Sequence, residues 1–390
     1  MKIGFVYEPF DANAGSFGAH GYCLATELVR RGHKLWGPGL PEMPGCVSLR
    51  NDKWGKLRMA RHADLLYIRP GNASALERCT WLRLLRPRCP VIWEINGTTD
   101  EMLGGYAPDD ATLHRYRREI RRKRLLARLV DAAVCVSSEL ADYAARYYGI
   151  RRCIVAPNGG DPATYLPQGG GTFLADLNDR FIVFWAGDAG FPWQGVGDML
   201  AAARRCEREA PDVLFVLLLG GRDVRTSWPH GRNTILLHGT DRPTVRRYLA
   251  DAHCVTVLYR WHGVCDWRRA HGSSLKLFEA MAARKPVIAT ALGQQTEVVR
   301  DGVDGLLVPE DTDALVRAIL RLRSDPALRE RLAAAARERI ESAYTWRHTV
   351  DRIEPLLLEL AGRGLPDPTS RQAASRDGWR TIPCCRQISA

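Results

Sequence analysis

The chain has no apolar run of the ~20 residues that a helix needs to span a bilayer, which argues against an integral membrane protein. Its first residues, MKIGFVYEPF, lack the charged stub, apolar stretch and small-residue cleavage site of a signal peptide and are typical of a first β-strand. The 11 cysteines show no CxxC spacing, so we expect neither a disulfide framework nor a zinc site. Together these absences favour a cytoplasmic protein.

Acidic residues are too few to balance the basic ones. The chain has 56 Lys and Arg against 44 Asp and Glu, a net charge of +12, and Arg far outnumbers Lys. This charge suits an anionic partner such as a nucleotide diphosphate, an anionic lipid surface or a nucleic acid. No recognisable RNA- or DNA-binding module accompanies it, so we expect no nucleic-acid partner.

Short apolar runs alternate with helix-like stretches along a chain whose 390 residues are enough for two domains. The predicted strands are KIGFVYE, ADLLYIR, PVIWEIN, AAVCVS and RCIVAP in the first half, and RFIVFWAG, VLFVLLLGG, TILLHG, HCVTVLY, PVIATAL and GLLVP in the second. This alternation predicts an α/β fold with two doubly wound, Rossmann-like domains. A Pro/Gly segment at 167–172 marks the predicted boundary. We therefore expect domains at 1–168 and 172–345, a terminal helix over 346–362 and a flexible tail over 363–390.

The most informative segment is HGSSLKLFEAMAARKPVIATALGQQTEVVRDGVDGLLVPE, residues 271–310. Gly272, Ser273 and Ser274 open a predicted helix, and their small size lets a ligand approach the free N–H groups of its first turn, an end that favours anions. Glu279 follows more than one turn later on the same helix. A phosphate at the helix start and a sugar hydroxyl at Glu279 form the arrangement that a nucleotide-sugar diphosphate requires. The residues GQQTE are predicted to form a loop after the strand PVIATAL.

This segment resembles the donor-site signature of the retaining GT-B glycosyltransferases of family 4, the glycosyl transferases group 1. Their helix reads approximately SPLKxFEAMAxGxPVIA, and a GGxxE turn follows it. The matching positions are Ser274, Leu275, Lys276, Phe278, Glu279, Ala280, Met281, Ala282, Pro286, Val287, Gly293 and Glu297. Gln294 replaces the second Gly of the turn, and His271 replaces a Glu that precedes the helix in the family. The segment AGDAGFPWQGVGDML, residues 186–200, similarly resembles the family's GxxxPWKGVDxL element.

The resemblance implies the GT-B fold, with two Rossmann-like domains and a cleft between them. It implies transfer of a sugar from a UDP- or GDP-linked donor to an acceptor hydroxyl with retention, and it implies neither a bound metal nor a cofactor. The implied donor-binding residues are Gly187, Gln194, Gly272, Ser273, Ser274, Leu275, Glu279, Gly293, Gln294, Gln295 and Thr296. Glu297 would face the transferred sugar. His271 would hydrogen-bond a sugar hydroxyl or a phosphate, and the alternative is an ordinary loop His.

Gln194 stands where the family commonly has a Lys that neutralises the departing diphosphate. Loss of one such preorganised contact lowers the rate by roughly 10²–10³. Lys276, in the first turn of the phosphate-binding helix, is the leading substitute, and Arg222 in LLLGGRD is the second. The alternative for Lys276 is a surface lysine, and the alternative for Arg222 is a charged loop residue.

The first half holds the predicted acceptor-binding residues. Gly15 and Gly18, in GSFGAHG after the first strand, would let an acceptor or phosphate approach the backbone. The alternative is a tight turn into the helix HGYCLATELVRRGH. Asn96 stands where related enzymes often carry a His, so it would hydrogen-bond a sugar but could not act as a general base. Glu94 is either a catalytic carboxylate or a surface residue at the end of a strand.

A predicted helix over 113–130 carries eight basic residues opposite an apolar stripe. Each basic residue near an anionic lipid surface contributes ~1 kcal/mol, so this helix could hold the protein loosely at a membrane. The alternative is a solvated helix face without a ligand.

Overall we predict a glycosyltransferase whose acceptor is an envelope glycan, a lipid-linked sugar or a natural product. The alternative is a catalytically impaired GT-B-fold partner protein that binds nucleotide or glycan, which His271 and Gln194 motivate. Sugar epimerisation ranks lowest because the pocket lacks the several acids that it would need.

Overall fold

A computed structural model describes residues 1–7, 15–71, 76–99, 109–165, 179–220, 230–239, 241–260 and 272–363. The chain divides into two compact units. Unit 1 contains Met1–Thr99, Arg117–Pro157 and the chain from Trp346, and unit 2 consists mainly of Asn158–Thr345. The predicted linker at 167–172 lies outside the described residues, as does the predicted tail after Arg363. No described helix is both long enough and apolar enough to cross a membrane.

The sheet of unit 1 has seven strands, which are all parallel and lie in the order β3-β2-β1-β4-β5-β6-β7. They are β1 Lys2–Val6, β2 Lys34–Pro38, β3 Cys46–Leu49, β4 Leu65–Ile68, β5 Val91–Ile95, β6 Ala132–Cys135 and β7 Cys153–Val155. The five strands predicted here are confirmed. Strands β2 and β3 were not predicted, because KLWGP contains Gly and Pro, which are rare in strands, and CVSL is too short and too polar to show a clear apolar run.

The helices before residue 158 are α1 Gly15–Arg30, α2 Lys53–His62, α3 Leu82–Leu85, α4 Asp110–Leu126 and α5 Ser138–Tyr143. Helix α1 begins at Gly15, so the alternative of a turn before His20 is wrong: Gly15 and Gly18 belong to the first turns of the helix. Seven described cysteines are free thiols. Cys23 on α1 is disulfide-bonded, although no disulfide framework was expected.

The sheet of unit 2 has six parallel strands in the order β10-β9-β8-β11-β12-β13. They are β8 Phe181–Asp188, β9 Val213–Gly220, β10 Thr234–His238, β11 Cys254–Val257, β12 Val287–Thr290 and β13 Leu306–Val308. All six confirm predicted strands. The prediction of two doubly wound parallel sheets is therefore correct.

The helices of unit 2 are α6 Val196–Glu209, α7 Arg242–Asp251, α8 Leu275–Ala282, α9 Gln294–Val298, α10 Thr312–Ser324 and α11 Pro326–Ala343. The predicted loop GQQTE is wrong, since Gln294–Val298 forms the short helix α9.

Both faces of the unit 2 sheet are buried, as parallel sheets require. Successive residues of β8 point to opposite faces: Trp185 lies in the same buried cluster as Met199 of α6, whereas Phe184 lies in the cluster that contains Phe278 and Met281 of α8. Burial of each such side chain contributes about 1.5–3 kcal/mol. The two clusters fix α6 and α8 on opposite faces, with their N-termini at the carboxyl end of the sheet.

The last described helix, α12 Trp346–Leu360, belongs to unit 1. Arg31, just after α1, donates to Glu354 at 2.8 Å and to Asp351 at 2.8 Å. His33 Nε2 lies 3.0 Å from the second Glu354 oxygen. Burial alone would raise the pKa of Glu354, but the bonds from His33 and Arg31 lower it to about 2. A charged network thus fastens α12 to α1.

Candidate functional site

Three helices of unit 2 begin without a side-chain cap. They are α6 after Gly195, α8 after Ser274 and α9 after Gly293. By contrast, α7, α10 and α11 begin at aspartates whose carboxylates accept from N–H groups of the first turn. Because Ser274 makes no capping bond with its side chain, the N–H groups at the very start of α8 are candidates to bind an anion.

The start of α8 also gathers buried oxygens that have no hydrogen-bond partner among the described residues. The side chain of Asn158 is 3% exposed, and its Nδ2 donates to the Ser273 carbonyl at 3.1 Å. Its Oδ1 and the hydroxyl oxygens of Ser273 and Ser274 are the unpartnered atoms. Buried polar atoms are normally hydrogen-bonded, so this grouping indicates a place for a polar ligand.

Glu279 lies one turn further along α8 and is largely enclosed. Its side chain is 14% exposed, and Oε1 accepts from Nη2 of Arg242, the first residue of α7. Arg242 Nη2 also lies 3.4 Å from the Tyr165 hydroxyl. Glu279 is thus a paired carboxylate beside the uncapped helix start, and it is not an ordinary helix-surface residue.

The Lys276 amine lies beside Gln194, the residue that replaces the family's usual Lys. Nζ donates to Gln194 Oε1 and stands 4.6 Å from the centroid of the Trp185 ring. A Cβ on Gly187 would come within 2.7 Å of Nζ, so only glycine leaves room for the amine there. Burial lowers the pKa of Lys276 to about 7, against the opposing charges of Asp188 and Glu279.

The turn after β12 is held together internally. The Gln295 side chain donates to the Val257 carbonyl at 3.1 Å and accepts from the Thr290 hydroxyl at 3.1 Å. The Thr296 hydroxyl donates to the Gly293 carbonyl at 2.8 Å, and Gly293 has a φ of 58°. The side chains of Gln295 and Thr296, predicted to face the donor, therefore brace the turn. Gln294 is buried and Glu297 half-buried in the same helix.

The PWQG segment is anchored to the end of β11. Asp198 of α6 accepts two bonds from the Arg260 guanidinium, and the Arg260 N–H donates to the Trp193 carbonyl at 2.9 Å. Gly195 has a φ of 70°, which favours glycine. These contacts fix Gln194, and through it the Lys276 amine, at the carboxyl end of β8.

Unit 1 has a separate polar cluster at the carboxyl ends of β1, β4 and β5. Glu94 is buried, accepts from the Tyr7 hydroxyl, and lies 2.7 Å from His20 Nε2. The Arg69 guanidinium stands 5.2 Å from the centroid of the Tyr7 ring. Burial alone would raise the pKa of Glu94, but His20 and Arg69 lower it to about 2. The alternative that Glu94 is a surface residue is therefore wrong.

The structure brings together some of the predicted residues and does not describe others. Gly187, Gln194, Gly272, Ser273, Ser274, Leu275, Lys276 and Glu279 all belong to the region around the start of α8. Asn96 is half-buried and follows β5, close in sequence to Glu94. His271 and Arg222 lie outside the described residues.

The predicted basic helix is α4 with the short helical turn Ala127–Leu129 after it. Lys123 is buried and donates to the Thr99 hydroxyl at 3.2 Å, and Arg122 pairs with Glu77 and Glu119. The exposed basic residues are Arg115, Arg117, Arg118, Arg121, Arg124 and Arg128. Two of the eight basic residues thus serve the interior of unit 1, and six face outwards.

Sequence reasoning missed five side chains of these clusters: Asn158, Arg242, Tyr7, His20 and Arg69. Four of them share one feature, because each comes within a few residues of the carboxyl end of a strand: β7, β10, β1 or β4. This is the edge at which parallel sheets bind ligands, so polar residues just beyond each predicted strand deserved inspection. His20 lacked that feature and was hidden within the first helix. Among the described residues, no three His, Cys, Asp or Glu side chains are grouped so that they could hold a metal ion.

Two family profiles match the chain. The profile described as "Glycosyl transferases group 1" matches residues 180–325, and the one described as "Glycosyltransferase Family 4" matches residues 54–164. The first match covers β8 to α10 and therefore includes the α8 site.

Curated relatives match over part of their length. The D-inositol 3-phosphate glycosyltransferase of Kribbella flavida is 33% identical over 168 residues, which are 38% of this chain and 36% of the relative. The alpha-maltose-1-phosphate synthase of Mycolicibacterium smegmatis is 30% identical over 261 residues, 59% of this chain and 63% of the relative. The chain thus matches less than two thirds of the length of either relative.

Solved structures match over almost the whole chain. Sucrose-phosphate synthase from Thermosynechococcus elongatus has a TM-score of 0.72 at 17% identity, covering 93% of this chain and 99% of that one. Anabaena HepE in complex with UDP-glucose has a TM-score of 0.66 at 17% identity, covering 92% and 99%. At these identities the likeness concerns the fold.

Proposed function

We propose that this chain, which belongs to the family 4 glycosyltransferases (glycosyl transferases group 1) and has their GT-B fold, moves a sugar from a nucleotide-diphosphate donor to an acceptor hydroxyl with retention. The observation that carries the proposal is the start of α8. There, uncapped N–H groups, three buried unpartnered oxygens, an amine and a paired carboxylate lie along one helix end.

Donor binding is assigned to unit 2. The pyrophosphate would accept from the N–H groups around Ser274 and from the hydroxyls of Ser273 and Ser274, at the helix end that favours negative charge. The pentose hydroxyls would donate to Glu279, and each such charge-assisted bond is worth about 1.5–3 kcal/mol. Gly187 and Gln194 would face the diphosphate, and Gly293 and Gln294 the sugar.

The reaction needs a cation where charge develops. As the bond between the anomeric carbon and the phosphate oxygen breaks, Lys276 would stabilise the charge on the diphosphate. The acceptor oxygen forms the new bond to the anomeric carbon, and its proton passes to the departing phosphate. Glu297 would lie near the transferred sugar.

The acceptor is assigned to unit 1, where Gly15, Gly18, Glu94 and Asn96 lie at or near the carboxyl end of the sheet. The buried carboxylate of Glu94 and the amide of Asn96 would accept from and donate to hydroxyl groups. A sugar, a lipid-linked sugar or another polyhydroxylated natural product has the chemistry that this polar cluster would bind.

UDP is the nucleotide to test first, because HepE, which shares the fold, has been solved with UDP-glucose. The protein would be incubated with labelled UDP-sugars and GDP-sugars, with and without acceptor mixtures, and nucleotide release followed. Release that depends on Glu279 and increases with acceptor supports the proposal. Absence of release with every donor, from protein that binds nucleotide, would favour the second candidate.

That second candidate is a protein that binds nucleotide or glycan without turnover, and Gln194 is the observation that favours it. Calorimetry with UDP and GDP separates the two, because the second candidate would bind nucleotide yet release none from the sugar donor. The bond between Gln194 and Lys276 argues for turnover, since it keeps an amine at this position.

Helix α4 is proposed to contact an anionic membrane from the cytoplasm. Its six exposed arginines would contribute about 1 kcal/mol each near an anionic surface. Flotation with vesicles that contain anionic lipid tests this contact. The protein should float with them at low salt and not with zwitterionic vesicles, and equal recovery with both would exclude an electrostatic contact.

A further inference from the structure

Arg242 occupies a fixed position at the start of α7. The preceding residue, Asp241, caps the helix by accepting from the Thr244 N–H at 2.8 Å, and Pro243 follows Arg242. β10 ends at His238, so the arginine lies at the carboxyl end of the unit 2 sheet. The backbone of Arg242 is therefore held in place independently of any ligand.

The Arg242 side chain is directed at Glu279. Its Nη2 donates to Glu279 Oε1, and the two side chains are 15% and 14% exposed. The second oxygen, Oε2, takes no part in this bond. A carboxylate oxygen has two acceptor positions, so Oε2 and the remaining position of Oε1 are left for other donors.

A carboxylate that grips two adjacent hydroxyls must present both oxygens in one orientation. A Glu side chain has three rotatable bonds, and restraining it on binding costs free energy that a fixed side chain has already lost. The charge of Arg242 also offsets that of Glu279, which lies close enough to Lys276 to affect its pKa. The nearby diphosphate would therefore meet less repulsion.

We infer that Arg242 is a positioning residue that orients the Glu279 carboxylate and thereby sets the preference of the site for ribose over 2′-deoxyribose. The inference rests on the proposed function, since it takes the Glu279 carboxylate to be the group that binds the pentose. A purely structural role, in which the ion pair only joins α7 to α8, would change stability without changing this preference.

The test compares the affinities of a nucleoside diphosphate and its 2′-deoxy form by calorimetry, with UDP and 2′-deoxy-UDP as the first pair and the GDP pair as the second. In the wild type, the ribose form should bind about 10- to 100-fold more tightly, the range expected for one hydrogen bond to a charged group. R242Q should reduce this ratio to about threefold or less, as E279Q should. R242Q/E279Q should match E279Q, because Arg242 acts through Glu279.

Conservative and distant variants serve as controls. R242K keeps the charge but not the forked geometry, and it should give a ratio between those of R242Q and the wild type. R247Q, at an exposed position of the same helix, should keep the wild-type ratio. In turnover assays R242Q should raise the KM for the donor and leave kcat within about threefold.

The outcomes separate the inference from the proposed function. If R242Q weakens both nucleotides equally and keeps the wild-type ratio, the inference is overturned while the proposed function stands. If R242Q does not fold, R242K and R242Q/E279Q provide the test. The inference is overturned if R242K keeps the wild-type ratio of ribose to deoxyribose affinity and R242Q/E279Q has a higher ratio than E279Q. A wild-type protein that binds neither nucleotide pair overturns the proposed function, and the inference with it.

Discussion

At the scale of single residues, a buried amine lies beside the position at which Gln194 replaces the family's usual Lys. Gln194 occupies the place of the usual Lys, and its side-chain oxygen accepts a hydrogen bond from the Lys276 amine. The sequence was sufficient to identify Lys276 as a candidate because it lies in the first turn of a helix whose start is the proposed anion site. It could not reveal the bond to Gln194, since 82 residues separate the two positions.

Lys276→Met should lower kcat by about 10²–10³, because the developing charge on the diphosphate would lose its preorganised cation. Steady-state kinetics with the best donor checks this. Lys34→Met, which removes an exposed lysine of unit 1, is the matched control and should leave kcat unchanged. Retention of more than a third of the wild-type kcat in Lys276→Met would remove Lys276 from the mechanism.

The activity should fall as the pH rises through about 7. Burial lowers the pKa of Lys276 to about 7, so above that pH the free protein loses the charge that the diphosphate needs. The profile of kcat/KM against pH measures this loss, and a profile that stays level to pH 9 would contradict it.

The pKa of Lys276 also affects stability. Because it lies well below the ordinary 10.5, Lys276 carries a proton in the unfolded chain but not in the folded one between about pH 7 and pH 10.5. Wild-type stability relative to Lys276→Met should therefore rise with pH over that window.

At the scale of elements, the start of α8 lacks the side-chain cap that α7, α10 and α11 have, which is the arrangement expected of a helix that binds a ligand. Its N-cap Ser274 makes no capping bond, whereas Ser137 at the start of α5 accepts from the Leu140 N–H at 3.3 Å. A serine that caps its own helix satisfies an N–H group that a phosphate would otherwise bind. We therefore expect substitution by Ala to affect ligand binding at Ser274 and stability at Ser137.

Ser274→Ala should weaken nucleotide-diphosphate binding about tenfold and leave the melting temperature within a degree or two, because no capping bond is lost. Ser137→Ala should lower the free energy of unfolding by about 1 kcal/mol and leave nucleotide affinity unchanged. Calorimetric titration and thermal unfolding of both variants make the comparison. A large loss of stability in Ser274→Ala with unchanged affinity would show that the hydroxyl serves the fold.

Helix α12 depends on the charges that fasten it to α1. Arg31→Ala removes one of the two side chains bonded to the buried Glu354, so the free energy of unfolding of unit 1 should fall by about 3–5 kcal/mol. Arg30→Ala is the control: that side chain is 57% exposed, and its pair with Glu27 should contribute less than about 1 kcal/mol. Urea unfolding monitored by tryptophan fluorescence measures both, and equal effects would contradict the account.

This contribution should also depend on pH. The folded pKa of Glu354 is about 2, below its ordinary 4.5, so its contribution is present above pH 4.5 and is lost as the pH falls towards 2. The difference in the free energy of unfolding between the wild type and Arg31→Ala should therefore become smaller as the pH falls from 4.5 towards 2.

Elements with a strong apolar period were predictable, and the others were not. Most strands of unit 2 are runs of buried apolar residues, which is the sequence pattern of strands covered on both faces, although β10 is mostly half-buried. β2 and β3 carry Gly, Pro and polar residues and lacked this pattern, and α9 is too short to show a helical period. The helix start at Gly15 was missed because GSFGAHG has the composition of a turn.

At the scale of the whole molecule, the sequence was sufficient to predict two doubly wound parallel sheets but not the partners of their charged groups. The crossover rules and short connections restrict the possible strand orders, but the observed orders came from the structure. The pairing of Arg242 with Glu279 depends on which helices become neighbours on one sheet face. The fold also places the basic residues of α4 and the turn after it in two environments. Lys123 and Arg122 make contacts inside unit 1, whereas six arginines are exposed.

The central claim is that the donor's pyrophosphate binds at the start of α8 while its pentose binds Glu279. The most direct measurement is a crystal structure of the protein with bound UDP or GDP. The account predicts phosphate oxygens about 3 Å from the N–H groups around Ser274 and a ribose hydroxyl at the same distance from a Glu279 oxygen. A nucleotide bound elsewhere, or Glu279 still paired only with Arg242 in the complex, would contradict it.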